Sequence, residues 1–353
     1  MELCLHSVEA AIANLDAEII VVDNCSEDDS CQMIKSCFPN VNLIENKTND
    51  GFSKGNNLGV KQAKGEYICI LNPDTVVAED TFSTLLEYAA SCSKLGILGC
   101  RLIDGTGHYL PESKRNIPSP KVALKKLLGS PYTYYANQLG EYEIGEVPVF
   151  VGAFMLLKKS LYIEVGGFDE DYFMYGEDVD ISYKVLKAGY RNYYYGPTSI
   201  IHYKGESTLK DVNYAKRFYG AMQIFYKKHF KSHWLFNTMV WLGIKAAYLM
   251  RAETKNPKIR IDRYVVLSNR KCEFLKFVLN KPIEVVSELP ELKAHTEILF
   301  DARSISFKGI IELIDNYKTQ SGLTFKILSP NSHFLLGSNS SKNRGEVIQI
   351  KNN

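Results

Sequence analysis

The chain has 353 residues, a length that exceeds one average domain and predicts two. Its hydrophobic fraction of 45% and charged fraction of 23% are ordinary for a globular protein with a buried core. The formal net charge is +2, which excludes recruitment of nucleic acid or anionic lipid by the field of the whole protein.

Eight cysteines are scattered through the sequence, without a C-x-x-C pair and without zinc-ligand spacing. Cys25, Cys31 and Cys37 lie six residues apart, and ordinary thiols are favoured over a metal cluster there. Residues 1–14 lack the charged segment that begins a signal peptide. Cysteine usage therefore predicts a reducing, cytoplasmic location, free or peripheral on the inner face of the cytoplasmic membrane.

The first 210 residues alternate between short apolar runs and helical patterns. Strands are predicted at 18–23, 41–45, 67–71, 150–158 and 193–202, and helices at 28–37, 53–63, 81–90, from Ser160, and at 177–188. Residues 95–148 predict a long irregular segment, typical of binding loops or lids. The alternation predicts an α/β fold with a doubly wound, mostly parallel sheet and helices on both faces.

The segment 213–250 is predicted to be almost wholly helical. Its second half, Trp234 to Met250, is apolar on most faces and is flanked by basic residues. Three interpretations stay open: a helix on a membrane surface, a helix packed on the preceding domain, and a membrane span, for which the run is short.

A small second α/β domain is predicted beyond the linker at Asn256-Pro257. Its strands are predicted at 264–267, 283–286, 298–301, 325–328 and 347–350, and its helices at 274–279 and 310–317. No phosphate loop, catalytic cluster or repeat is present in it, which favours a scaffolding or docking role. The predicted organisation is a first domain over 1–210, a helical segment over 211–255 and an accessory domain over 256–353.

Acidic residues follow two predicted strands, at the position where open α/β sheets bind ligands. Asp23 follows the run Ile-Ile-Val-Val, and Asp74 closes the sequence Leu-Asn-Pro-Asp. Either acid alone is as well explained as a cap of the next helix. Asn72 and Asp74 together offer hard oxygen ligands, which suit Mg²⁺ or Mn²⁺ on diphosphate oxygens. Gly51 and Gly55, in a Gly/Asn-rich turn, are expected to let the backbone approach an anionic ligand.

The segment 169–180 holds six acids interleaved with aromatic residues. Acids among aromatic side chains predict a desolvated cleft with a tuned carboxylate. The alternative is that Asp178 or Asp180 only caps the following helix. His202 ends a predicted strand, and a lone histidine is more often structural than a ligand.

Six motifs occur in one order along residues 3–210. They are Val22-Asp-Asn-Cys-Ser26, Gly51-Phe-Ser-Lys-Gly-Asn-Asn57, Leu71-Asn-Pro-Asp74, Gly152-Ala-Phe-Met155, Gly167-Phe-Asp-Glu170 through Glu177-Asp178, and His202 with Gly205 and Ser207. In this order they resemble the family 2 glycosyltransferases, and most closely the rhamnosyltransferase-like branch.

The resemblance implies a GT-A fold and an inverting, metal-dependent transfer from a nucleotide-diphosphate sugar. Asp74 and His202 would hold Mg²⁺ or Mn²⁺, and Asp178 would be the general base. The residues that it assigns to nucleotide-sugar binding are Asp23, Asn57, Asn72 and Glu177.

The hypothesis from the sequence is therefore a hexosyltransferase that moves rhamnose or another hexose to a glycan acceptor in surface polysaccharide synthesis. The acceptor is expected to be lipid-linked, with peripheral membrane contact by the protein and no nucleic acid partner. The alternative is a degenerate transferase domain that acts as a binding or scaffold protein.

Members of this family normally open with a strand before the helix that holds Cys4-Leu-His-Ser7. Because that strand is absent from the sequence, we expect a chain truncated at its N-terminus that is unstable or inactive. In the doubly wound order the strand belongs between the strands ending at Asp23 and near Asn72. Those two strands should therefore flank a gap instead of pairing with each other.

Overall fold

The computed structural model of the protein describes residues 1–119, 122, 134–204, 212–230, 238, 259–340 and 345–350. Its first elements are α1 (Glu2–Ile12), β1 (Ile20–Asp23), α2 (Ser30–Cys37), β2 (Asn42–Glu45), α3 (Gly51–Gln62), β3 (Tyr67–Leu71), β4 (Thr75–Val76), α4 (Thr81–Ser91) and β5 (Leu95–Ile103). A 3₁₀ turn at Pro111–Ser113 interrupts the long loop after β5. The next elements are β6 (Ile144–Glu146), β7 (Phe154–Lys158), α5 (Lys159–Glu164), α6 (Glu177–Lys187), β8 (Arg191–His202) and α7 (Val212–His229).

The expectation of irregular structure from residue 95 is wrong at its start, where β5 forms the centre of the sheet. All nine residues of β5 are buried. The sequence pattern does not predict this strand, because its glycines and one arginine interrupt the apolar run that marks a buried strand. Gly99 is required there by close packing, since a Cβ at this position would lie 2.4 Å from the ring of Phe150.

The first large sheet has the order β3-β7-β5-β8-β4, and β6 pairs with β8. β5 and β8 are parallel, whereas β7 runs antiparallel to both β3 and β5. The predicted α/β class is confirmed, and the sheet is mixed because β7 enters from the edge at which β3 ends.

β1 and β2 form a separate, two-stranded parallel sheet. β1 and β3 therefore do not pair, as expected, and no strand of the described ranges joins the two sheets. α1 contributes Cys4 and Val8 to the core, where they pack in one cluster with Phe82 and Leu85 of α4.

α7 covers the first part of the helix predicted at 213–250. It packs on the first domain, with Phe225 and Tyr226 buried in one cluster with Tyr172 and Val179. The apolar half from Trp234 to Met250 falls outside the described residues, apart from position 238. Among the helices that the structure describes, none combines the length and the apolar character that a membrane crossing requires.

The second large sheet contains β9 (Arg263–Leu267), β10 (Ile283–Val286), β11 (Thr296–Asp301), β12 (Leu323–Leu328), β13 (Phe334–Gly337) and β14 (Glu346–Gln349), together with the helix α8 (Phe307–Tyr317). Its order is β10-β9-β11-β12-β13-β14. The pairings among β10, β9, β11 and β12 are parallel. The pairings of β12 with β13 and of β13 with β14 are antiparallel. The helix predicted at 274–279 is a 3₁₀ helix over Glu273–Phe277.

One apolar core joins the two large sheets. Ile103 of β5 and Ile201 of β8 belong to the same buried cluster as Phe300 of β11 and Phe307 and Ile310 of α8. Burial of this surface is the main force that holds the second domain against the first.

Polar contacts reinforce this core at both ends of α8. The Glu79 carboxylate accepts hydrogen bonds from the backbone N–H groups of Phe307 and Lys308, at 2.6 and 2.8 Å, and so caps the start of the helix. Near its other end, Asp315 lies 2.8 Å from the guanidinium of Arg101, a side chain of β5 with no solvent exposure.

Candidate active site

Asp23 stands at the carboxyl end of β1, where its carboxylate accepts the backbone N–H of Ser26 at 3.0 Å. Burial works against ionisation of Asp23, but hydrogen bonds from Ser26 and Cys31 outweigh it and leave the pKa of this carboxyl below its ordinary value. The next residue, Asn24, donates to the carbonyl of Gly51 at 2.9 Å. The loop after β1 is thereby fixed against the start of α3.

Gly51 and Gly55 were expected to make room for a ligand, and in the structure they make room for protein groups. Gly51 has φ +83°, and a Cβ on it would lie 2.4 Å from the carbonyl oxygen of Phe173. A Cβ on Gly55 would lie 3.0 Å from the side chain of Asn24. The turn is tight because α3 packs directly against the acidic segment that precedes α6.

Asn57 joins α3 to the chain around Phe168. Its Oδ1 accepts from the Tyr162 hydroxyl at 2.6 Å and from the Phe168 N–H at 3.1 Å. Its Nδ2 donates to the Phe168 carbonyl at 2.9 Å and to Glu170 at 3.0 Å. Because these bonds occupy its donors and its acceptor, the side chain is suited to positioning the loop more than to contacting a nucleotide.

Asp74 and His202 face each other at the edge of the first large sheet. β4 pairs with β8 so that Thr75 lies opposite His202, which brings the imidazole Nε2 to 3.3 Å from Asp74 Oδ1. Both ring nitrogens of His202 are buried, and neither makes a hydrogen bond with the described residues. A buried imidazole beside a carboxylate, with both nitrogens in this state, is the arrangement expected of ligands to a shared cation.

The tight turn between β3 and β4 sets this geometry. The Asn72 carbonyl accepts the Thr75 hydroxyl at 2.8 Å, and the Asn72 N–H donates to the carbonyl of Ala153 at 3.0 Å. Asp74 itself receives the N–H of Tyr203 on its carbonyl at 2.9 Å. The turn is thus held from both neighbouring strands.

Asp178 lies in the first turn of α6 and is buried. Its Oδ2 accepts from a guanidinium nitrogen of Arg115 at 2.5 Å and from the N–H of Gly152 at 3.2 Å, and its Oδ1 accepts from the N–H of Val179 at 2.7 Å. Burial lowers the pKa of Arg115, but the Asp178 charge outweighs it and raises that pKa above its ordinary value. Asp178 and Arg115 form a buried salt bridge.

Arg115 is the site residue that sequence analysis missed. It lies in the loop predicted to be irregular, 63 positions from Asp178. Two backbone hydrogen bonds with Val149 and a bond to the carbonyl of Phe150 hold it in place. No local motif marks such a residue, and only the buried acid that it neutralises reveals it.

Glu177 precedes Asp178 and is also buried. Burial and the neighbouring charge of Asp178 raise its pKa to about 8, and its Oε2 makes no hydrogen bond with the described residues. The two adjacent carboxyl groups therefore differ in their surroundings: Asp178 is paired with Arg115, whereas burial and the Asp178 charge disfavour ionisation of Glu177.

Side chains near the end of α7 form ion pairs with the acidic segment 169–180. Lys228 reaches Asp169 at 2.5 Å and Asp171 at 2.6 Å, and His229 Nε2 lies 2.6 Å from the fully buried Asp180. Asp180 is therefore a packing centre between α6 and α7 and does not serve as a helix N-cap, a place taken by Gly176.

The predicted metal ligands and base lie along one edge of the sheet. β3 ends, β7 begins and β8 ends at this edge, as the pairings Leu71 with Phe154 and Ile103 with Ile201 show. Asp178 is tied to it through Gly152, whose neighbour Ala153 accepts from Asn72. Continuous contacts therefore link the turn of Asp74 to the start of α6.

Within the described ranges, no group of three or more His, Cys, Asp or Glu side chains is arranged to hold a metal alone. Asp74 and His202 fit a divalent cation that takes its remaining ligands from a diphosphate and water, as Mg²⁺ commonly does. The carboxylate and the imidazole supply oxygen and nitrogen donors of the kind that such a cation takes.

A cavity of about 380 Å³ opens beside the acidic segment. Phe173 and Met174 line one wall, and Arg217, Gly220 and Ile224 of α7 line the other. The Arg217 guanidinium lies 5.5 Å from the ring centre of Phe173. An exposed aromatic ring and a cation thus meet at the mouth of this cavity.

An α/β sheet that gathers acids and a histidine at one edge is typical of enzymes that bind phosphate-bearing ligands. The family model "Glycosyl transferase family 2" matches residues 1–166. A Mycobacterium tuberculosis N-acetylglucosaminyl-diphospho-decaprenol L-rhamnosyltransferase is 31% identical over 212 residues, covering 55% of this chain and 68% of the relative. The Escherichia coli rhamnosyltransferase WbbL is 30% identical over 161 residues, covering 43% of this chain and 61% of the relative.

Solved structures are more distant. The mannosyltransferase PcManGT of Pyrobaculum calidifontis, in complex with GDP-Man and Mn²⁺, has a TM-score of 0.45 at 18% identity, covering 71% of this chain and 72% of its own. GalNAc-T7 with UDP, GalNAc and Mn²⁺ has a TM-score of 0.44 at 17% identity, covering 57% of this chain and 40% of its own. The sequence relatives decide the assignment: the chain belongs to glycosyl transferase family 2.

Proposed function

We propose that this protein is an inverting, metal-dependent hexosyltransferase of surface polysaccharide synthesis. It moves rhamnose or another hexose from a nucleotide-diphosphate donor to a lipid-linked glycan acceptor at the inner face of the cytoplasmic membrane. The observation that carries the proposal is the facing pair of Asp74 and His202 at the sheet edge to which Asp178 is also tied. The decaprenol-linked substrate in the name of the mycobacterial relative supports the lipid-linked acceptor.

Asp178 is the proposed general base. Its carboxylate offers about four lone-pair positions, of which Arg115, Gly152 and Val179 occupy three. The remaining position on Oδ1 can accept the proton of the acceptor hydroxyl as that oxygen attacks the anomeric carbon. The salt bridge with Arg115 holds the Asp178 carboxylate in place. Attack opposite the leaving diphosphate inverts the anomeric centre without a covalent intermediate.

The donor lies along the same edge in this proposal. Asp23 contacts the base or ribose, and Asn72 and Glu177 contact the sugar diphosphate. Asn57 acts indirectly, by holding the chain at Phe168 and Glu170 in place. When Mg²⁺ or Mn²⁺ is bound at Asp74 and His202, it supplies positive charge for the leaving diphosphate.

The acceptor is proposed to enter through the cavity between Phe173 and Arg217. Phe173 is 43% exposed and offers an apolar face to a sugar ring, and Arg217 can pair with acceptor phosphates. Replacing either by alanine should raise the KM for the acceptor and leave the KM for the donor unchanged.

The test is a screen of UDP-, GDP- and dTDP-linked sugars with Mn²⁺, read as thermal stabilisation and as release of nucleoside diphosphate. A bound donor stabilises the fold by mass action. Release that depends on donor, acceptor and Asp178 supports the enzyme. Stabilisation by a donor without any release, across acceptors of the lipid-linked type, would instead support the scaffold alternative.

Membrane contact is tested separately. If the basic-flanked segment from Trp234 to Met250 lies on a bilayer, the full chain should sediment with anionic liposomes at low salt, and high salt should release it. Absence of sedimentation at low salt would remove this part of the proposal.

A further inference from the structure

The second large sheet has a crevice of its own. After β9, the next strand, β10, pairs with one side of β9, and the strand after that, β11, pairs with the other side of β9. Such a reversal opens a crevice at the carboxyl ends of the strands, where open α/β sheets bind ligands. A cavity of about 490 Å³ lies beside this crevice, on the side of the edge strand β10. Its lining residues come from 268–276, after β9, and from 283–287, along β10 and just beyond it.

The loop after β9 is fixed from beneath. The Ser268 hydroxyl donates to Asp301 at 2.6 Å, and the N–H of Asn269 donates to Ser304 at 3.2 Å. Arg303 holds both oxygens of the fully buried Asp301, at 2.8 and 3.0 Å. The loop is therefore pre-formed, which lowers the entropic cost of ligand binding.

The cavity wall on the loop side is cationic. Arg270, Lys271 and Lys276 line it against a single acid, Glu273. All three cations are exposed, and none makes an ion pair with another residue that the structure describes. Unpaired cations around a concave surface attract an anion.

The opposite wall is apolar. Ile283 and Val285 project from the same face of β10 into the cavity, and Val285 is 43% exposed. The cavity volume falls within the usual range for small-molecule sites and far exceeds the size of one phosphate group. Cations on one wall and aliphatic side chains on the other fit a ligand with phosphate at one end and a planar ring at the other.

We propose that this cavity is a second ligand site of the protein, for a nucleotide. Its phosphates pair with Arg270, Lys271 and Lys276, and its base packs on Ile283 and Val285. The loop from Ser268 to Cys272 contains no glycine, so the backbone does not cradle the phosphates as a glycine-rich loop does. Charged side chains bind the phosphates instead, and binding is therefore sensitive to salt. The site is separate from the catalytic edge and independent of the proposed function.

The experiment is equilibrium dialysis of the full chain with ADP, with UDP and with inorganic phosphate, in excess EDTA to weaken the metal-dependent catalytic site. The Arg270→Ala/Lys276→Ala variant is compared with Lys281→Ala/Lys293→Ala, which removes two exposed cations outside the cavity. We expect the first variant to weaken nucleotide binding about tenfold or more, and the control to stay within about twofold of wild type.

Val285→Trp, which fills the cavity without changing charge, should have the same effect and serves if the charge variant does not fold, as judged by circular dichroism. Equal nucleotide binding by wild type and both cavity variants would overturn the proposal. So would phosphate binding as tight as nucleotide binding, or loss of binding to anionic vesicles in the cavity variants without any loss of nucleotide binding.

Discussion

Both large sheets carry buried polar groups near the carboxyl ends of their strands, and the two sets of groups differ in their hydrogen bonding. At the first edge, the ring nitrogens of His202 and Oε2 of Glu177 are buried without hydrogen bonds to the described residues. At the second edge, Ser268, Arg303 and Ser304 satisfy the buried Asp301 completely. Buried polar groups therefore lack hydrogen bonds to the described residues in one domain and form a closed network in the other.

The difference teaches where function is to be sought in each domain. Unsatisfied buried groups are costly, and they persist where a ligand or a reaction completes them. A closed network needs no ligand and instead fixes the backbone around it. In our proposals, the exposed cations above the network bind the ligand at the second edge, whereas the buried groups themselves take part in the reaction at the first edge.

Metal removal should have the largest effect on the first edge. Excess EDTA should abolish transfer, and Asp74→Ala should lower it on the order of a thousandfold, because a cation stabilises the leaving diphosphate by several kcal/mol. Nucleoside diphosphate release measured with and without added Mn²⁺ checks this. Full activity in EDTA would exclude a catalytic cation. The buried groups of the first edge would then need no metal ligand, as is the case for the network at the second edge.

Removal of the proposed base comes next. Asp178→Asn should lower turnover by about 100-fold or more with little change in donor affinity, following the usual contribution of general base catalysis. Asp171→Asn is the matched control, because Asp171 belongs to the same acidic segment but its side chain is 69% exposed. Near-normal turnover in Asp178→Asn, with circular dichroism unchanged, would remove this residue from the mechanism.

The counterpart change at the second edge should affect stability only. Asp301→Asn breaks the network around a buried charge and should cost about 3 kcal/mol of unfolding free energy, as the loss of a buried ion-pair partner does. Turnover below the unfolding temperature should be unchanged. Urea denaturation measures the unfolding free energy of Asp301→Asn, with the exposed Asp262→Asn variant as the control. A loss of turnover in folded Asp301→Asn would show that the two edges are coupled.

Sequence patterns can mark those candidate site residues that depend on local chemistry. Asp74 and the Glu177-Asp178 pair stand at the ends or starts of elements, where a short motif suffices to mark them. Arg115 and strand β5 could not be found in this way. Arg115 pairs with an acid far along the chain, and the glycine that interrupts the apolar pattern of β5 lies where Phe150 packs closely on the strand.

At the turn that begins α3, the sequence pattern indicates a close contact but not its partner. Its glycines predict backbone approach to a ligand, and the close approach exists, but Gly51 meets Phe173 and Gly55 meets Asn24. Glycine spacing reports that something lies close and does not say what. Identifying the neighbour requires the tertiary structure.

The smallest predicted effect concerns Glu177 and the pH dependence of stability. Its folded-state pKa of about 8 lies above the ordinary value of 4.5, because burial and Asp178 disfavour the charged form. As pH rises above 4.5, the unfolded chain releases this proton while the folded chain keeps it. The free energy of unfolding should therefore fall between pH 4.5 and about 8 and level off above that.

Glu177→Gln removes this titration and keeps the neutral shape. The variant should unfold like wild type near pH 4.5 and be more stable than wild type at pH 8 to 9, because its unfolded state has no proton to release at this position. Thermal unfolding from pH 4.5 to 9 measures the difference, with Glu87→Gln on the exposed face of α4 as control. Parallel stability curves for Glu177→Gln and wild type would show that Glu177 is ionised in the folded protein. The contrast between the first edge and the closed network of Asp301 would then rest on His202 alone.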